Sequence, residues 1–329
     1  MINIVFLAGN STLKRIFHDQ HMEQLKQLGN VKLHNYDRPL TTEQLAEQLT
    51  NADIAITSWG CQELTGELLA HAPNLKGVLH AAGTVKGVVT PELWAKGIRV
   101  SSGAEALGLG VAETALGLTI ASLKDMWRLS QYTREGGWGR TDRVTELYGI
   151  KVGVVGAGNA GRHYMKLMRN FEVERLLFDP MVTEEQAAAI GATKVSFQQL
   201  LTQSDVISIH APALPETYRM FNDDAFGLMK DDCILINTAR GSIIDEAALV
   251  QHLRRGRLFA CLDVTDPEPP AVDHPFRALP NVVLLPHIAG SVNNGLYRLG
   301  AFTIADLRRL LNEETMRGEV TAAQLNTIA

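Results

Sequence analysis

The chain is short of several things that would place it in a specialised class. Of its 329 residues only 3 are cysteine and 6% are aromatic. Cys61, Cys233 and Cys261 stand apart, without Cys-x-x-C or zinc-finger spacing, so neither a disulfide framework nor a metal site is expected. Such sparse cysteine suits a reducing compartment. Long basic runs are absent and the net charge is −5, which argues against a nucleic-acid footprint. Low-complexity segments and fixed-period repeats are absent too. The first residues, Ile2-Asn-Ile-Val-Phe-Leu7, lack the basic flank of a signal peptide and read as a strand. The apolar run from Leu107 to Leu123 carries Glu113 and reads as too short to span a bilayer. The expectation is a cytoplasmic protein with no membrane and no nucleic acid as partner.

What the chain has in quantity is core. Hydrophobic residues make up 46% and charged residues 20%, and the length suggests about two domains at ~150 residues each. Short β-rich runs alternate with helical patterns from the start: residues 2–8, Val31–His34, Asp53–Ile56, Lys76–His80 and Ile98–Val100 are strand-like. Strands separated by helices in this rhythm predict a parallel sheet with crossovers. This first unit ends near Ser101-Ser-Gly103. A helix rich in small residues follows to Leu123, then a polar, irregular segment from Gln131 to Tyr148 around Gly136-Gly-Trp138-Gly139. A tryptophan in such a loop needs a burial site, on this chain or on a partner.

A second unit opens at Lys151 with an apolar run that breaks into Gly156-Ala-Gly158-Asn159-Ala160-Gly161. In a G-x-G-x-x-G turn between strand and helix, the first glycine permits the tight turn. The second admits a pyrophosphate close to the backbone, and the third lets helix and strand pack closely. The helix entered at Asn159 offers its free N–H groups and dipole to the phosphates. The next apolar run, Glu174–Phe178, ends in Asp179, close to the ~20 residues past the loop at which an acid meets the adenosine ribose. Four later strand-like runs also end in polar or ionisable residues: His210, Asn237 to Arg240, Asp263 and His287. In a doubly wound sheet those ends share one crevice beside the glycine loop. Arg240 sits in a glycine-containing turn, where a guanidinium can fork onto a carboxylate. His287 follows a strand, and Glu268 lies in the rigid Asp266-Pro-Glu-Pro-Pro270, able to hold a carboxylate against an imidazole. These three form the candidate catalytic set. His80, His163 and His252 have no such context and read as structural or exposed.

Taken together, Gly156–Gly161, Phe178-Asp-Pro180, Asp205-Val-Ile-Ser-Ile-His-Ala-Pro212 with Pro215-Glu-Thr217, Ile236–Asp245, Leu262-Asp-Val264 with Glu268-Pro269, and Leu285-Pro-His-Ile-Ala-Gly290 are ordered as in one family. The chain resembles the D-isomer-specific 2-hydroxyacid dehydrogenases over nearly its whole length. The resemblance implies an α/β fold of two domains, a Rossmann-type doubly wound parallel sheet inserted in a flavodoxin-like substrate domain. Residues 1–103 with 293–329 would form the substrate domain, and 104–292 the NAD-binding domain. It further implies that Arg240 binds substrate, His287 is the acid/base and Glu268 orients it, while Asp263 holds the nicotinamide carboxamide. Asn159 and Ala160 would touch pyrophosphate and Asp179 ribose. Ala211, Pro212, Thr217, Thr238, Ala239 and Gly290, with Arg240 and His287, would line the dinucleotide. The expected cofactor is NAD and the expected partner a small 2-oxo or 2-hydroxy acid. Family members are typically homodimers through the cofactor domain, and in some a tryptophan from the 131–148 segment reaches the neighbouring subunit's substrate pocket.

The sequence departs from the family pattern at the substrate loop, His80-Ala-Ala-Gly-Thr-Val-Lys-Gly87. Ala82, Gly83 and Thr84 are the candidates for a backbone cradle for the substrate carboxylate, with Lys86 near the usual acid. The expected reaction is reversible reduction of a small 2-oxo acid to its D-2-hydroxy acid. Two alternatives remain open. One is a phosphoglycerate-, hydroxypyruvate- or glyoxylate-type member, in which Lys86, Arg99 or Arg140 meets a charged substrate. The other is a non-catalytic NAD-sensing regulator.

Overall fold

The computed structural model describes residues 1–325 and 327–328. Residues 326 and 329, in the returning segment expected in the substrate domain, lie outside the described residues. The chain forms two compact units, Met1–Leu107 with Ser291–Ala329, and Gly108–Gly290.

The first unit holds a six-stranded sheet of order β13-β5-β4-β3-β1-β2. Its strands are β1 (Asn3–Phe6), β2 (Asn30–Lys32), β3 (Ile54–Thr57), β4 (Gly77–His80) and β5 (Arg99–Ser102), with β13 (Glu319–Val320) at one edge. All pair parallel except β13, which runs antiparallel to β5. β1, β3 and β4 are almost wholly buried, as strands with helices on both faces must be. One face packs with Leu45, Leu49, Leu68 and Leu93, the other with Leu25, Leu299, Phe302 and Leu307. The tail from Asn312 is polar, and β13 lies in it. Its anchor is long-range: both Arg99 Nε and Nη2 donate to the Glu319 carboxylate at 2.7 Å. Asp306, fully buried, accepts the Arg317 and Gly318 N–H groups at 2.8 and 2.9 Å.

The second unit holds a seven-stranded, all-parallel sheet of order β12-β11-β10-β9-β6-β7-β8. The strands are β6 (Tyr148–Val155), β7 (Glu172–Phe178), β8 (Thr193–Lys194), β9 (Val206–Ile209), β10 (Cys233–Asn237), β11 (Leu258–Leu262) and β12 (Val282–Leu284). Strand order reverses on either side of β6, so the carboxyl ends of β6 and β9 mark the switch point at which such sheets take ligands.

Two expectations need correcting. The small-residue helix runs from Ala104 to Leu123, starting before Leu107, and by length and composition alone it could cross a membrane. Its apolar residues have another use. Ala106 and Leu107 pack in the first unit's core, while Ala112, Ala115, Leu118 and Leu123 pack against Val152, Tyr164 and Met165 in the second. The segment after it is not wholly irregular, because Met126–Arg134 is a helix. None of its residues is buried, so no core-facing stripe marked it.

Candidate active site

The glycine loop closes β6 and starts the Asn159–Met168 helix. Gly156 has φ +93°, and a Cβ there would come within 2.8 Å of the Ala211 backbone. A Cβ on Gly161 would fall 2.1 Å from the Gly156 carbonyl oxygen. Both positions therefore need glycine for local packing. Gly158 does not, since a Cβ there meets nothing within 4 Å. That open face at a helix N-terminus leaves room for an anion to approach the backbone. Ala211 and Pro212 continue from β9 directly against the loop, and Thr217 ties this turn by donating to the Pro212 carbonyl at 2.7 Å.

Asp179 follows β7. One carboxylate oxygen accepts the Ala157 N–H at 2.7 Å and the other the Met181 N–H at 2.8 Å. The acid is thereby fixed on the rim of the glycine loop. Arg162 was not singled out from the sequence, yet its Nε donates to the Ala157 carbonyl at 2.7 Å and places a guanidinium against the same loop. Two buried polar atoms near the ends of β9 and β10, His210 Nδ1 and Thr238 Oγ1, have no partner among the described residues. An open glycine face, a rim acid and unpartnered polar atoms along one sheet edge fit a dinucleotide.

Farther along that edge, β10 delivers Asn237 to Arg240. The Asn237 side chain folds this turn, donating to the Arg240 carbonyl at 2.8 Å and accepting the Ala239 N–H at 3.0 Å. Arg240 is half-buried, and its Nη1 donates to the Ala239 carbonyl at 2.7 Å. The next residue, Gly241, lies so close to Thr265 and Asp266 that a Cβ would fall 2.1 Å from the Thr265 backbone. The arginine turn and the turn bearing Glu268 are therefore in contact. Glu268 accepts the Thr265 N–H at 3.2 Å through Oε1, and its Oε2 lies 2.8 Å from His287 Nδ1. An ionised carboxylate only accepts, so this contact assigns a proton to Nδ1. The pair is open to solvent, at 50% and 39% side-chain exposure, so it contributes orientation more than stability.

His287 has φ +54°, a left-handed conformation that a histidine holds only when its surroundings impose it. Asp263 does so. The Asp263 carbonyl accepts the His287 N–H at 2.9 Å, and its carboxylate accepts the Ile288 and Ala289 N–H groups at 2.8 Å each. Burial pushes the Asp263 carboxyl above its ordinary range, against the opposing pull of those two N–H groups and of His287. A clamp on the histidine turn, leading on to Gly290, was not legible in the spacing.

The expected substrate loop belongs to the first unit. Its carbonyls are held by the scaffold: His80 O accepts from Gly103 N at 2.9 Å, Ala81 O from Ser58 Oγ at 2.9 Å, and Gly83 O from Ser102 Oγ. The N–H groups of Ala82, Gly83 and Thr84 donate to no acceptor among the described residues, which suits an anion. His80, set aside in the sequence, is buried beneath this loop with Nδ1 2.9 Å from Thr57 Oγ1. Desolvation pushes it down to about 4. Of the three cations considered for a charged substrate, Arg99 is engaged by Glu319, and Arg140 lies over the Tyr132 ring. Trp138 is 85% exposed.

Comparisons with known proteins agree with this geometry. The model of the D-isomer specific 2-hydroxyacid dehydrogenase NAD binding domain matches residues 116–289. A D-3-phosphoglycerate dehydrogenase from Methanocaldococcus jannaschii is 30% identical over 300 residues, covering 90% of this chain and 56% of its own. The chain thus spans about half the length of that relative. A glyoxylate reductase from Thermofilum pendens is 30% identical over 320 residues, covering 95% of this chain and 93% of its own. A phosphoglycerate oxidoreductase from Rhizobium etli shares the fold, with a TM-score of 0.84 at 23% identity over 98% of this chain and 99% of that one. A match that takes in the glycine loop, Asp179, Arg240, Glu268 and His287 in one stretch leaves a single conclusion: the chain belongs to the D-isomer-specific 2-hydroxyacid dehydrogenase family and carries its NAD-binding domain.

Proposed function

We propose that this protein is an NADH-dependent reductase of small 2-oxo acids, reversible as a D-2-hydroxyacid dehydrogenase. The observation that carries the reading is the 2.8 Å contact between His287 Nδ1 and Glu268, on a turn packed against that of Arg240. The loop of Asn159, Ala160 and Asp179 would hold the dinucleotide, with Thr238, Ala239 and Asp263 farther along the edge. Bound NADH supplies a hydride. Arg240 would fork onto the substrate carboxylate and polarise the C2 carbonyl, stabilising charge that grows on oxygen. In the first unit, the N–H groups of Ala82 to Thr84, which donate to no acceptor among the described residues, would suit an anion. His287 would give the proton on Nε2 to the carbonyl oxygen, with Glu268 orienting the ring through Nδ1. In the oxidative direction the neutral ring takes that proton back.

Asp179, with Pro180 and Met181 beside it and no cation in that turn, favours NADH over NADPH by repelling a 2′-phosphate. The engagement of Arg99 by Glu319 weighs against its use on a phosphorylated substrate. An exposed helix without buried residues, together with exposed Trp127, Trp138 and Tyr148, supports self-association through the second unit. The decisive experiment follows NADH oxidation with glyoxylate, hydroxypyruvate, pyruvate and a phosphorylated 2-oxo acid. Turnover of none of them, with NADH still bound tightly, would replace the enzyme by an NAD-sensing regulator.

A further inference from the structure

Glu246 is the first residue of the Glu246–Arg254 helix, which follows the arginine turn. Its side chain points away from solvent, at 14% exposure, which is unusual for a glutamate at a helix start. Oε1 accepts the Asp266 N–H at 2.9 Å, and Oε2 lies 3.3 Å from His274 Nε2. His274 Nδ1 accepts the Phe276 N–H at 3.3 Å, which leaves Nε2 as the ring nitrogen facing Glu246. Asp266 opens the Asp266-Pro-Glu-Pro-Pro270 segment that bears Glu268, and its backbone nitrogen also packs against Gly241, beside Arg240. One carboxylate thus holds the point at which the arginine turn and the glutamate turn meet.

We propose that Glu246 is a positioning residue for the acid/base pair: through the Asp266 N–H it fixes the turn that aims Glu268 at His287. The inference rests on the reading of His287 and Glu268 as that pair. The groups facing Glu246 are Asp266 and His274, and those facing the His287 ring are Glu268 and, from the end of β11, Asp263. Burial pushes the Glu246 carboxyl up, with Asp266 adding in the same direction and the Asp266 N–H opposing. A buried acid is retained at that cost for a contact that an apolar side chain would not make.

Glu246→Ala frees the Asp266 N–H and lets the Glu268 turn drift. Reductive kcat/KM should fall roughly 10- to 100-fold, the usual effect of a displacement of about 1 Å at reacting groups. The pH profile of reduction should shift as it does in Glu268→Gln. In the double variant Glu246→Ala/Glu268→Gln the losses should not multiply, because both remove the same contact. Glu246→Gln keeps an acceptor for the Asp266 N–H and should restore most of the wild-type profile. Should the alanine variant fail to fold, Glu246→Asp keeps the charge at the helix start but shortens the reach, and the same shift is expected. NMR titration of the His287 ring in the NADH-free protein reads the same shift without turnover. A wild type that reduces no 2-oxo acid would overturn the catalytic reading, whereas the titration would still report whether Glu246 acts on His287. A titration or pH profile of Glu246→Ala that overlays the wild type, or losses that multiply in the double variant, would overturn the proposal and leave Glu246 a stability contact.

Discussion

Acidification from pH 7 to pH 5 should weaken both units, each through a buried histidine that stays neutral in the fold. His80 lies under the first unit's substrate loop and is pushed down to about 4 by burial. His210 lies beside the glycine loop, bound to Ser208 Oγ at 2.9 Å through Nε2, and burial pushes it down to about 3. Unfolded, both would titrate at the ordinary histidine value of ~6.5. The folded values are lower, so below ~6.5 the unfolded chain binds more protons and stability falls with pH. The loss continues until the folded values are reached. At pH 5 the linkage relation gives about 2 kcal/mol per histidine. His21 and His34, also lowered chiefly by burial, add to the loss in the first unit. The assay is urea unfolding at pH 7, 6 and 5, with the transition of each unit followed separately. His210→Gln should flatten the pH slope of the second unit by about 2 kcal/mol over this range, and His80→Gln that of the first by a similar amount. Slopes parallel to wild type in both variants would refute the reasoning, since it would mean that neither histidine is held neutral by the fold.

Other expectations bear on the chemistry. Asp179→Ser should narrow the preference for NADH over NADPH, mainly by weakening NADH binding, and equal kcat/KM for the two cofactors in the wild type would show that Asp179 is misassigned. His287→Gln should lose roughly 10²–10⁴ in kcat while NADH still binds, as measured by fluorescence titration. Glu268→Gln removes the carboxylate that orients the His287 ring, so reduction should fall with a changed pH profile, and an unchanged profile would return Glu268 to a loop acid. Trp138→Ala should raise KM for the oxo acid more than for NADH if its loop serves a neighbouring subunit, an idea that a fully active monomer in sedimentation would end.

The sequence alone determined the features set by local backbone demands. A strand that runs into Gly156-x-Gly158-x-x-Gly161 has few other conformations, and the packing at Gly156 and Gly161 shows why. Polar residues ending apolar runs, Asp179, Arg240, Asp263 and His287, were legible because a parallel sheet places all such ends on one edge. The partnerships across that edge were settled by tertiary structure. Asp263 clamps the His287 turn, and Glu246 reaches Asp266. Arg99 read as a possible substrate contact until β13 returned from the far end of the chain and engaged it through Glu319. A strand of two residues carries no periodicity, and a carboxylate's partner is chosen by distance in space, so neither leaves a mark in the spacing of the residues. Local conformational need is written along the chain, whereas pairing between distant side chains is decided only when the sheets close.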